Sequence, residues 1–98
     1  MTTRYDSKDP GETITMGFDF SEAGTPSNPE VSITVRRGED ADPAAMLVGS
    51  PVVSGNLVLQ KAMGGVDGVD YAVRCLADVD GDRLLIDSIL PVRSRPTP

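Results

Sequence analysis

The chain contains no histidine and no tryptophan, one cysteine, and only four aromatic residues among 98. Without an imidazole no general base of that kind can activate a hydroxyl or thiol. Ser50, Ser54 and Ser88 have no lysine at a recognisable spacing either, so no catalytic role is expected. A single cysteine excludes an intrachain disulfide, and the place of Cys75 on the inward parity of an alternating segment predicts a small buried hydrophobe. No run approaches the ~20 apolar residues of a membrane-spanning helix, and residues 1–10 lack the apolar stretch of a signal peptide. A soluble protein synthesised in the cytoplasm, with no membrane partner, is the expectation. Positive charge is also scarce: nine basic against fifteen acidic residues give a net charge of −6, which disfavours a nucleic-acid partner. No residue pattern calls for a cofactor. With so few rings, the core must rest on Val, Leu, Ile and Met, and a chain this short removes only roughly 60–65% of its unfolded surface from water. Support from neighbours in an assembly is therefore expected.

What is present is alternation. In residues 64–92, Tyr71, Val73, Cys75, Ala77 and Val79 recur at period two with Asp70, Arg74 and Asp78 among the residues between them, the pattern of a half-buried strand. Asp80-Gly81 tolerates positive φ and predicts a two-residue hairpin turn, after which Leu84, Ile86, Leu90 and Val92 return on one face. Ile14, Met16, Phe18 and Phe20 alternate in the first strand, and Val31, Ile33 and Val35 in the second. Residues 21–29, SEAGTPSNP, read as a loop. Asp42 before Pro43 predicts a short helical turn capped by Asp42 and reaching Met46 and Leu47. Residues 48–53 hold Gly49 and Pro51 and predict a broken or edge strand. Ser54-Gly55-Asn56 turns into residues 57–62, whose two faces are both partly apolar.

These segments predict an all-β fold of six or seven short strands, an antiparallel sandwich or a small barrel, and resemblance to a tyrosine corner at Tyr71 favours the antiparallel immunoglobulin-like β-sandwich. The expected core is Phe18, Phe20, Ile33, Val35, Leu59, Tyr71, Val73, Cys75, Leu84 and Ile86. Asp67-x-Val69-x-Tyr71 has the form of a corner in which a tyrosine hydroxyl bonds the upstream backbone. The expected organisation is an N-terminal arm at 1–10, the sandwich at 11–92 and a flexible tail at 93–98. The arm, with little apolar surface, is expected to order only against a neighbouring subunit.

Two groups of residues are candidates for chemistry. Asp78, Asp80 and Asp82 surround a glycine as calcium loops do, but an EF-hand register fails whichever residue is aligned first, and an exposed acidic hairpin tip is the simpler reading. No metal site is assigned. Arg36 and Arg37 stand beside Glu39, Asp40 and Asp42, a bipolar loop that is either a solvated turn with weak ion pairs or a head-to-tail contact between identical subunits.

Lys8-Asp9-Pro10 ahead of the first strand, Gly38 with its acidic loop, MGGVDGVDY at 63–71, an Asp-Gly turn and LLIDSILPV at 84–92 together resemble the fiber-tail adaptors of tailed bacteriophages. Met63-Gly64-Gly65-x-x-Gly68-x-x-Tyr71 matches that family's glycines and tyrosine and replaces its serine. The family's strand tryptophans are absent, with Phe18 and Phe20 in their stead. The resemblance implies a structural protein of the virion that holds fibres on the tail or head-tail connector. Its partners would be tail, connector or fibre subunits, in a homo-oligomeric ring. Candidate partner-binding residues are Tyr5, Lys8, Asp9, Pro10, Arg36, Arg37, Glu39, Asp40 and Asp42. A capsid decoration and a calcium-dependent binding module are the alternatives.

Overall fold

The structure, a computed structural model, describes residues 2–94, with side chains from residue 5 onward. Its strands are β1 (Thr2–Arg4), β2 (Thr13–Asp19), β3 (Ser27–Arg37), β4 (Leu47–Ser54), β5 (Leu57–Met63), β6 (Asp70–Val79) and β7 (Asp82–Pro91). A 3-10 turn, Pro43–Met46, precedes β4. They form two layers, one sheet in the order β1-β7-β6-β3 and the other β2-β5-β4. All pairings are antiparallel except β1 with β7. The chain is thus an all-β sandwich, as its alternation predicts.

Period-two patterning becomes packing directly. Met16, Phe18 and Phe20 from one layer meet Tyr71, Val73, Cys75, Ala77, Ile86 and Leu90 from the other, and all are buried. Each of the larger aliphatic and phenylalanine side chains among them contributes on the order of 1.5–3 kcal/mol by leaving water. Val35 and Leu84 are only partly buried against this core. At the β6–β7 hairpin, Asp80 and Gly81 have φ of 50° and 85°, the two positive values of a type I′ turn.

Four expectations change. Leu59 is not a core residue: β5 buries Val58, Gln60 and Ala62. The cause is register, because inward-pointing Phe18 sits opposite Val58 and Ile14 opposite Ala62, and directly paired residues share a face. Alternation within 57–62 could not choose between its two apolar faces. The loop at 21–29 is shorter than expected, since β3 starts at Ser27 and absorbs Asn28, at φ 49°, in a bulge before Glu30. Of the segment 1–10, residue 1 lies outside the described residues and the rest is not an arm awaiting a neighbour, because β1 pairs with residues 87–89 of β7 and Lys8 bridges to Val92. Of the tail at 93–98, Arg93 and Ser94 are bonded to the sandwich, while residues 95–98 lie outside the described residues.

The edge strand β4 shows how a polar residue enters the core. Its ladder to β5 is interrupted between Val48 and Val52, where Gly49 and Pro51 stand. Gln60, 2% exposed, donates its amide to the carbonyls of Val48, Gly49 and Lys61 at 3.1, 3.2 and 3.0 Å. The side chain thereby supplies donors that the broken ladder lacks.

Candidate functional site: a clasp at one end of the sandwich

The segments that carry the resemblance converge at one end of the sandwich. Lys8 is 1% exposed, and its ammonium donates to the Gly64 carbonyl at 2.7 Å and to the Asp9 carbonyl at 2.8 Å. Its main chain closes the same joint: Lys8 N–H donates to the Pro91 carbonyl, and the Lys8 carbonyl accepts from Arg93 N–H, both at 2.9 Å. Burial pulls the Lys8 ammonium below its ordinary range, partly opposed by the Glu12 and Asp9 carboxylates. Asp9 and Pro10 make the turn that follows. The Asp9 carboxylate accepts from Gly11 N–H at 2.8 Å, and its own N–H donates to the Glu12 carboxylate at 2.7 Å.

Tyr71 locks the loop from the other side. Its hydroxyl accepts from Val66 N–H at 2.9 Å and donates to the Asp40 carboxylate at 2.7 Å. The bond to upstream backbone expected of a tyrosine corner is therefore present, and the hydroxyl proton goes to a carboxylate. Burial first, and the Asp40 bond second, raise the Tyr71 phenol. The Tyr71 hydroxyl, followed by Asp42 N–H, holds the Asp40 carboxyl below its usual range. Gly65, at φ 97°, lies under Val92 and Met46, which a Cβ would meet at 2.9 and 3.0 Å. Here only glycine fits.

Arg93 completes the clasp, donating to the Asp70 carboxylate at 2.7 Å, with the side chain of Asp70 11% exposed and that of Arg93 42%. The Asp67 carboxylate accepts from Ser94 N–H at 2.8 Å. Neither partnership is legible in sequence, since both join residues more than 20 positions apart.

The candidate partner-binding residues thus divide. Tyr5 packs edge-on against Phe18 with ring centroids 6.2 Å apart, and its hydroxyl donates to the Gly17 carbonyl at 2.9 Å and bonds Ser88. Tyr5, Lys8, Asp9 and Pro10 are joined to their own domain. The expectation overlooked that the lysine stem and the tyrosine ring bring apolar surface to a segment that reads as polar. Of the bipolar loop, Asp40 turns in to the clasp, while Arg36, Arg37, Glu39 and Asp42 stay exposed. Arg36 sits at a second bulge of β3, between Val35 and Arg37.

Elsewhere, Asp78 is engaged by Asn28 at 3.1 Å and Arg83 at 2.9 Å. No three metal-ligating side chains converge among the described residues. Cys75 is buried and its thiol is pushed up to about 11 by that burial, so it stays protonated and unreactive at neutral pH. The outer face of the β2-β5-β4 sheet carries an exposed apolar patch. Val48, Val52, Leu57 and Met63 are exposed there, Val52 at 60%, around Leu59 and Lys61. No helix among the described residues is long and apolar enough to cross a membrane. Searches of protein-family models, curated proteins and solved structures return no match to the chain.

Proposed function

We propose that the chain is a structural virion protein of a tailed bacteriophage that attaches tail fibres to the tail or head-tail connector. On this reading its sandwich is of the immunoglobulin-like kind, and copies stand in a ring among tail, connector or fibre subunits. The observation that carries the proposal is the Lys8 to Gly64 contact. Lys8-Asp9-Pro10 and residues 63–71 are the specific parts of the resemblance, and they close on one another. Two short words so far apart that form one joint are parts of a single device, which makes chance similarity of each word a weaker account. The exposed apolar face around Val52 adds support, because a small domain in an assembly buries such a face against a neighbour.

Mass spectrometry of gradient-purified phage particles from the strain that encodes the chain tests this reading. The protein is expected in the particle at the copy number of tail or connector subunits. Copy number matching the major capsid protein would replace the reading with capsid decoration. Absence from intact particles would overturn it.

A further inference from the structure

Among the described residues, only half of the sheet edge formed by β7 is covered. β1 begins opposite Asp87 and runs to Ile89, and the Ile89 carbonyl accepts from Tyr5 N–H at 2.9 Å. Main-chain groups alternate sides along a strand, so Arg83 and Leu85 turn their N–H and C=O groups to the same edge as Ile89. No described strand pairs with them there. Beside this open stretch the two sheets part in a groove of about 310 Å³, lined by Phe20, Ala23, Leu84 and Ile86 among others. Asp19 and Glu22 line it too, with no basic side chain among its lining residues. Nearer the clasp, Tyr5 fills the equivalent space between the sheets by reaching from β7 to Gly17.

We propose that residues 82–86 of β7 and this groove accept an extended segment of a partner protein as an added strand. Its alternate side chains are apolar, and it is flanked by basic residues. The main chain of Arg83 and Leu85 supplies ladder bonds, the groove takes the inward apolar side chains, and the acidic rim selects positive flanks. The inference rests on the strand edge and groove alone and stands whether or not the virion reading holds.

The probe is a synthetic seven-residue peptide, Lys-Val-Thr-Val-Thr-Val-Lys, titrated into the isotopically labelled full chain and followed by amide NMR and hydrogen exchange. Binding should shift the Leu85 amide and slow its exchange. An N-methylated peptide should bind about tenfold more weakly or worse, and a peptide with glutamate flanks should also be weaker. Leu85→Pro removes an outward N–H and should abolish binding. Glu22→Lys, at an exposed position, should weaken the lysine-flanked peptide about threefold at low salt and favour the glutamate-flanked one. The proposal is overturned if no peptide binds at millimolar concentration, if binding leaves Leu85 unaffected, or if the N-methylated peptide binds equally well. Protection of Leu85 that rises with the concentration of the chain alone would instead assign the edge to a second copy.

Discussion

The two ends of the sandwich use the same kinds of residue to opposite effect. At the clasp, Lys8, Tyr71, Asp40, Arg93 and Asp70 tie four separate segments together with most of the groups withdrawn from water. At the opposite end, Arg83 pairs with Asp78 at 2.9 Å and Glu30 at 3.5 Å, with all three side chains well exposed. Exposed ion pairs gain little over solvation and are screened by salt. Buried donors and acceptors that lose a partner leave the other group unsatisfied, and that cost is large. The difference teaches that a count of charged contacts is uninformative here, and that burial of the partner atoms decides.

Substitutions can break this contrast, beginning with the largest effect. Lys8→Ala should destabilise the domain by about 2–4 kcal/mol, since it deletes a buried stem and orphans the Gly64 carbonyl. Lys8→Met keeps most of the stem and should cost about 1–3 kcal/mol. Urea denaturation separates the two contributions, and a wild-type midpoint for Lys8→Met would mean that only the stem matters. Next, Tyr71→Phe keeps the ring but loses both hydroxyl bonds, for a cost of about 1–3 kcal/mol. An unaltered midpoint would remove the corner from the account.

A smaller effect lies in acid. The carboxyl of Asp40 is held below its ordinary value in the fold. Its contribution is therefore fully present above the unfolded carboxylate range and is lost as pH falls through the lowered folded value. The urea midpoint of the wild type should drop on acidification. Because the Tyr71 hydroxyl is the first cause of the Asp40 shift, that drop should be shallower in Tyr71→Phe. Equal slopes would show that the Tyr71 bond is not coupled to Asp40 ionisation. The smallest effect is expected at the other end, where Arg83→Ala should leave the thermal midpoint within measurement scatter at physiological salt. A shift as large as that of Lys8→Met would erase the distinction between the two ends.

Much of this fold was legible because its strands are simple alternators with the right punctuation. Phe18, Ile33, Val73 and Ile86 lie where period two puts them, and Asp80-Gly81 turns the chain as its composition demands. The 3-10 turn starts at Pro43 as expected, although Asp42 makes no side-chain cap there. What was hidden depends on pairing. β5 could bury either face until its register with β2 chose Val58 over Leu59. Thr2–Arg4 carries no strand pattern at all and is a strand because the edge of β7 gives it a ladder. At the clasp, Tyr71 and the glycines were visible as signals. Asp40 read as part of a bipolar loop and Lys8 as part of an arm awaiting a neighbour, because the partner of each is set by long-range closure.

The meeting of the chain's beginning and end along β7 has a mechanical consequence. β1 runs parallel to β7, so tension applied at the two ends of the chain slides one strand along the other. The bonds from Tyr5 N–H to Ile89, Lys8 N–H to Pro91 and Arg93 N–H to Lys8 then carry the load together, with the buried Lys8 side chain as a stop. Tension between residues 67 and 94 would instead peel β7 from β6 one pair at a time, because those strands are antiparallel and both residues lie at the same end. In single-molecule pulling, the terminal attachment should rupture at the higher force. Strain that arrives through the two termini would load the domain in the stronger of these two directions.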